Sequence, residues 1–390
     1  MRRVAPFLAA AMLFWTETDA RAWDVYDQPV EKGPFGRLKV GVGGFFQPRF
    51  KYVFPDADLP TDPETTLYVQ RMRLEFKGDL LARGDGKFGF SMHNKFSVEL
   101  VPTPELKDAY VDFSFGDLIQ FRVGQFKVPV HRGNLTSDSA TMFPDRDAFA
   151  KWGPDRDIGA QFFGYYGKHV VDWEAGVWGG DGSNVTKDVN PGMLYAGRLV
   201  FSPLGGPGTK AEVLRDAGET NKKGQQMPTF SLGYSASYAV QGAKDAVTHT
   251  LAHNAEAMVA YRFFTVNGEF TYRTVDAVDA AGSDFNQSGF YVSAAVFPMA
   301  VPWAQDHLAV LARVEQGDAK ITDGDPGEIP ALDGGQAFRK STIGIGLYAS
   351  KPMFKTIHDL RAVFAYALKQ ETEGPKVDND EISLSMNASF

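Results

Sequence analysis

Asp380-Glu-Ile-Ser-Leu-Ser-Met-Asn-Ala-Ser-Phe390 closes the sequence in unbroken alternation and stops on an aromatic residue. Side chains on a strand alternate with period two, so Ile382, Leu384, Met386, Ala388 and Phe390 share one face. Glu381, Ser383, Ser385, Asn387 and Ser389 share the other. The stretch has about the length that a tilted strand needs to cross a bilayer, roughly 9–11 residues. Two readings fit it alone: the last strand of a soluble sandwich, or the closing strand of a membrane barrel, apolar to lipid and polar to a wet lumen.

The other end of the chain favours the barrel. Met1-Arg2-Arg3 is a positive start, Val4 to Trp15 is apolar apart from Pro6, and Ala20-Arg21-Ala22 is a small-x-small cleavage pattern. That is the pattern of a secretory signal peptide over residues 1–22. No later run reaches the roughly 18 apolar residues of a helical span. Expected boundaries are therefore a cleaved signal (1–22), a short periplasmic segment (23–35) and an outer-membrane barrel (36–390). With no cysteine, disulfides, thiolate metal sites and cysteine nucleophiles are excluded. The formal charge of -8 becomes -9 when three basic and two acidic residues leave with the signal, and an acidic surface argues against a nucleic-acid partner. Thirty-one Phe suit pleated strands and bilayer interfaces, and forty Gly suit tight turns.

From Leu38 onward, alternating windows recur roughly every 20–25 residues. Leu38, Val40, Val42, Phe46, Phe50 and Tyr52 oppose Arg37, Lys39, Arg49 and Lys51; Met72, Leu74 and Phe76 oppose Arg71, Arg73, Glu75 and Lys77. Continuing to Phe390 gives about sixteen windows, an even number as in single-chain bacterial barrels. Brief Gly/Asp turns alternate with long polar loops, so the expectation is an all-β, antiparallel, up-and-down transmembrane barrel. The long connection 202–228 falls where a tight turn is expected, with room for a short helix at Glu212–Ala217.

Catalytic constellations are weak. Gly344-Ile-Gly-Leu-Tyr-Ala349 resembles a dinucleotide fingerprint but leads into Lys351-Pro352, not a helix. His249 and His253 are four apart without the intervening Glu of a zinc protease, in a segment that reads as loop. No cofactor or metal is expected, and a barrel hydrolase requires a convergent Ser/His/Asp site.

Charge parity is more informative. If the apolar faces meet lipid, Arg37, Lys39, Arg49, Lys51, Arg71, Arg73 and Lys77 face the lumen, with Arg122, Arg198, Arg262, Arg273, Arg313 and Arg361 further along. Low-dielectric walls focus the field of such cations into an anion path. The same residues also fit a mixed, salt-bridged lining of little selectivity, because Asp108, Asp112, Glu256, Glu269 and Glu315 share that parity. The longest early loop, Pro129 to Asp157, is the simplest device for narrowing a wide barrel. Its Arg132, Arg146, Lys151 and Arg156 suit either contact with an anion or attachment of the loop to the wall, with Asp138, Asp145, Asp147, Asp155 and Asp157 among them.

Leu106-Lys-Asp-Ala-Tyr-Val-Asp112, Arg122-Val-Gly-Gln-Phe-Lys-Val-Pro129 and Pro154-Asp-Arg-Asp-Ile-Gly-Ala-Gln161 resemble the phosphate-selective porins O and P, and a looser match runs to Phe390. The resemblance implies a sixteen-stranded porin of the bacterial outer membrane, homotrimeric, passing phosphate or polyphosphate through an arginine- and lysine-lined constriction. It carries over onto Arg122, Lys127 and Arg156, and less directly onto Arg71 and Arg73. Val130-His131 departs from the family pattern, and residues 23–35 are too few for the periplasmic coiled coil of some members. The expected partners are outer-membrane lipid, small anionic solutes and the barrel-assembly machinery, with Phe390 read as part of the assembly signal. A general diffusion porin and, more remotely, a barrel hydrolase are the alternatives.

Overall fold

The computed structural model describes residues 23–30, 35–55, 64–82, 91–167, 169–185, 192–204, 228–243, 246–261, 263–277, 284–298, 307–323, 337–350, 359–373 and 380–390. The signal peptide, the helix expected at Glu212–Ala217 and Arg262 lie outside them. Seventeen strands make one sheet: β1 Trp23–Pro29, β2 Phe35–Val53, β3 Glu64–Ala82, β4 Ser91–Val101, β5 Glu105–Ser114, β6 Gln120–Lys127, β7 Arg156–Tyr166, β8 Val171–Trp178, β9 Leu194–Phe201, β10 Thr229–Ala243, β11 Ala246–Tyr261, β12 Phe264–Ala277, β13 Asp284–Val296, β14 Leu308–Asp323, β15 Ala337–Ser350, β16 Asp359–Glu373 and β17 Glu381–Ser389. Strands β2 to β17 form a closed antiparallel barrel of sixteen, each paired with its sequence neighbour and β17 closing on β2. No described helix is long and apolar enough to cross a membrane; these strands do the crossing.

The closing strand reads as its alternation predicts. Glu381, Ser383, Ser385, Asn387 and Ser389 are buried toward the lumen, while Leu384 and Met386 are exposed on the outside. The seam continues through Phe390, whose N–H donates to Gly44 O at 3.0 Å and whose carbonyl accepts from Gly44 N–H at 2.9 Å. A Cβ on Gly44 would come within 2.2 Å of the Arg73 carbonyl, so only glycine fits this seam position. Strand β1 pairs antiparallel with the same edge of β2 just beyond it, Trp23 opposite Val42 and Pro29 opposite Arg37.

Some connections differ from the expected rhythm. The segment holding His249 and His253 is strand β11, not loop, and only residues 244–245 separate it from β10. On the opposite rim, 297–307 and 351–358 are as long as several loops of the first. Hairpin length is set by local turn chemistry, so one rim need not be uniformly tight.

The β6–β7 loop folds inward, as expected for a constriction. It contains a single helical turn, Arg132–Leu135, and two 3₁₀ turns, Asp138–Ala140 and Ala148–Lys151. Its apolar side chains settle in three places on the inner wall. Val128 and Val130 join Phe126, Trp178, Leu194, Ala196 and Ala239; Met142 and Phe143 pack against Leu311, Val363 and Ala365; Phe149 and Trp152 pack against Tyr291 and Phe338. Gly289 makes the last seat possible, because a Cβ there would lie 2.1 Å from the Phe149 ring. An extended loop would leave these aromatic and aliphatic groups in water, at about 1.5–3 kcal/mol each.

Candidate functional site

The inward loop divides the lumen. Along β10 to β16 its backbone is tied to the wall by side chains that reach its main chain. Trp152 O accepts from Arg273 at 2.9 Å, Asp145 O from Arg313 at 3.0 Å, and Thr141 O from Arg361. Glu315 accepts from Ala148 N–H at 2.7 Å, and Glu269 from Arg132 N–H at 3.2 Å. These wall arginines therefore satisfy loop carbonyls that would otherwise be buried without partners. His131 lies buried between Asp147, at 3.5 Å, and Glu269, at 3.3 Å. It stands at the start of the loop, one residue before the helical turn Arg132–Leu135.

On the other side a cavity of about 1090 Å³ remains between the loop, β2 to β5 and β15 to β17. Ten basic and seven acidic side chains line it. Its deepest charge cluster centres on Asp138, whose carboxylate meets Arg146 at 2.8 Å, Arg73 at 2.9 Å and Arg71 at 3.7 Å. Burial by itself would raise this carboxyl, but Arg146, Arg71 and Arg73 outweigh it and hold it well below the usual carboxylate range. Asp145 is held low in the same way: burial opposes, and the bidentate Arg49 guanidinium at 2.6 and 2.7 Å overcomes it.

Arg71, Arg73, Arg146, Lys151 and Arg156 share this cavity. Their availability differs. Arg73 is divided between Glu99 at 2.6 Å and Asp138, and Arg156 between Asp108 at 2.9 Å and Asp155 at 3.2 Å; both side chains are only 4% exposed. Arg71 is 25% exposed. The remaining predicted residues lie away from the cavity lining. Arg122 is bidentate to Asp112 at 2.6 and 2.7 Å and stacks over Tyr110 at 3.9 Å. Lys127 donates to the carbonyls of Asn134 and Thr136, and Arg132 is buried with Nη2 3.0 Å from Met258 Sδ. Arg37 pairs with Asp27 of β1 at 2.5 Å, and Lys39 stands opposite Asp79 in the β2–β3 register. Sequence reasoning missed Lys107, Arg339, Lys340 and Lys369 as lining residues. Lys340 and Lys369 extend the inward parity of Thr342 and of Arg361 to Ala367, so the alternation carried the signal.

One Ser–His–Asp line exists in the wall: His93 Nδ1 lies 2.9 Å from Asp79, and Ser91 Oγ 3.5 Å from His93 Nε2. His93 and Asp79 are register partners of β4 and β3, and the surrounding backbone belongs to the β3–β4–β5 ladders. Among the described residues around it, the backbone N–H groups belong to these strand ladders.

Comparison with known proteins agrees with this geometry. Among solved structures, the anion-selective porin of Comamonas acidovorans superposes with a TM-score of 0.61 at 13% identity, covering 90% of this chain and 100% of that one. The outer-membrane channel DcaP of Acinetobacter baumannii gives 0.59 at 12% identity, covering 90% and 97%. At such identities the likeness shows the fold alone. An uncharacterized protein of Aquifex aeolicus is 29% identical over 164 residues, 39% of this chain and 37% of that protein. The sequence profile of the family "Phosphate-selective porin O and P" matches residues 42–301. The chain belongs to that porin family, as a sixteen-stranded β-barrel of the bacterial outer membrane.

Proposed function

We propose that this porin passes small anions, of the phosphate or polyphosphate class, by passive diffusion along the channel left beside the inward loop. The observation that carries the reading is the cationic excess of the cavity, ten basic to seven acidic side chains in a space walled by protein. Its family and the anion-selective Comamonas porin support the same direction. Transport of this kind follows the solute gradient and needs no cofactor. Residues 1–22 act as a cleaved signal, 23–35 as a short periplasmic segment before the barrel, and within it β1 covers residues 37–42 of β2. We also infer a homotrimer, as in the trimer form of Vibrio cholerae OmpT, whose fold is similar (TM-score 0.56, 9% identity, covering 90% and 99%).

A weakly selective general pore is the competing reading. It is favoured by the close pairing of Arg73 and Arg156 with carboxylates, which cancels much of their field. Reversal potentials in planar bilayers, under chloride and then phosphate gradients, separate the two. Anion preference supports the proposal. Cation preference would overturn it, and equal permeabilities would leave the general pore in its place.

A further inference from the structure

We propose that the outer face of β10 to β12 docks the phosphorylated sugar headgroup of an outer-leaflet lipid, held by two tyrosine–histidine pairs. The site lies on the outside of the barrel, away from the lumen. It rests on the outer-membrane location and on residues 23–35 being periplasmic, and is independent of anion conduction.

The two pairs repeat one geometry. Tyr234 and Tyr238 are four apart on β10, and His253 and His249 are four apart on β11. Tyr234 stands opposite Ala255 and Tyr238 opposite Leu251, so each tyrosine is the diagonal neighbour of its histidine. Tyr234 Oη lies 2.6 Å from His253 Nδ1, and Tyr238 Oη 2.8 Å from His249 Nδ1. Four strand residues span roughly 13 Å, so the two imidazoles cannot share a metal ion, whose nitrogen ligands lie at about 2 Å. By donating to Nδ1, each tyrosine fixes the tautomer that carries its proton on Nε2. A charged imidazole keeps that proton while Nδ1 donates back to the hydroxyl. Among the described residues neither Nε2 has a partner. The face therefore turns two N–H donors outward.

These donors stand where the lipid face changes character. β2 starts at the periplasmic rim, so β10, the ninth barrel strand, ends at the external one. Toward that rim the outward residues of β12 pass from Phe270 to Tyr272, Thr274 and Asp276, and those of β13 from Phe290 to Ser288, Asn286 and Asp284. His253 is the register partner of Tyr272, and His249 of Asp276. An N–H group among acyl chains finds no water, so a donor at the edge of the hydrocarbon needs an acceptor brought by the lipid. The lower pair suits a phosphate oxygen. The upper pair, with the exposed Asp276 carboxylate beside it, suits sugar hydroxyls, which both donate and accept. Tyr234 and Tyr272, 51% and 37% exposed, supply the amphipathic rings that favour headgroup level.

The test uses the full chain in detergent micelles and native mass spectrometry. Its probes are a diphosphorylated glucosamine-disaccharide lipid and the same lipid stripped of its phosphates. The wild type should bind the phosphorylated lipid about tenfold more tightly than the stripped one. His253→Phe should abolish that preference, and His253→Gln, which keeps an N–H donor, should restore most of it. His249→Phe should weaken binding of both lipids about threefold. If His253→Phe fails to assemble, Tyr234→Phe, which releases Nδ1 and with it the tautomer, should weaken the phosphorylated lipid about threefold. Equal affinity for the two lipids, or a preference unchanged in both His253→Phe and Tyr234→Phe, would refute the docking site and leave the anion reading untouched. Reversal potentials of the His253→Phe channel should match the wild type, because the pair faces away from the lumen; a shift would overturn the external placement.

Discussion

Asp138→Asn isolates the charge at the centre of the constriction while keeping side-chain shape. The carboxylate now meets Arg146 Nε and Nη2 at 3.1 and 2.8 Å, Arg73 Nη2 at 2.9 Å and Arg71 Nε at 3.7 Å. Breaking a buried ion pair by removing one partner costs about 3–5 kcal/mol. The lower end applies here, since Arg73 keeps Glu99 and Arg146 keeps the carbonyls of Gly133 and Thr136. Selectivity should move the other way. An anion beside Arg71, roughly 7 Å from Asp138, feels about 0.6 kcal/mol of repulsion in water-like surroundings and about 2.4 kcal/mol at an effective dielectric constant of 20. Removing that repulsion should multiply the anion-to-cation permeability ratio by about threefold or more. Two assays on one preparation check this: reversal potential in a salt gradient, and the temperature at which the folded barrel band is lost on gels. An unchanged or reduced anion ratio would refute the view that solute passes within reach of Asp138.

Acid should loosen the same clasp, but only late. Asp138 and Asp145 have folded pKa values below their ordinary 3.8, so their stabilisation is complete above that value and is lost as pH falls through the folded ones. Protease cleavage within residues 138–146, the part of the loop these two carboxylates hold, should stay flat from pH 7 to about 4 and rise only below; a transition centred at pH 5–6 there would contradict the assignment. Phe149→Ala, which empties the seat over Gly289, should destabilise the barrel by about 3–5 kcal/mol in thermal or denaturant unfolding. Arg122→Ala should lower stability while leaving reversal potentials unchanged, because its partners are Asp112 and Tyr110 away from the cavity. Deleting Phe390 removes both of its bonds to Gly44 and should reduce the amount of assembled porin in outer-membrane fractions; normal levels would show that the seam assembles without it.

The barrel was legible because its signal is local. Each strand carries its own period-two alternation, and Glu381 to Phe390 shows which side meets lipid without reference to any other residue. The same alternation placed Lys51 and Arg71 in the lumen. It misjudged the stretch around His249 and His253, where short outward residues and histidines obscured a strand whose outer face includes the Tyr234–His253 and Tyr238–His249 pairs. An inward loop was also readable from its length, and Met142, Phe143, Phe149 and Trp152 were a further signal, since such groups do not remain in water.

What residue identity alone determined, then, is the wall: about sixteen strands, the sides of each strand and which charged residues point inward. Which cations face a solute was decided by the tertiary fold. Arg73 meets Asp138 across 65 positions and Arg313 meets the Asp145 carbonyl across 168. Alternation fixes only the direction in which a side chain points. Whether its charge is spent on a partner depends on where a loop from elsewhere in the chain comes to rest, and that is set by packing across the whole barrel.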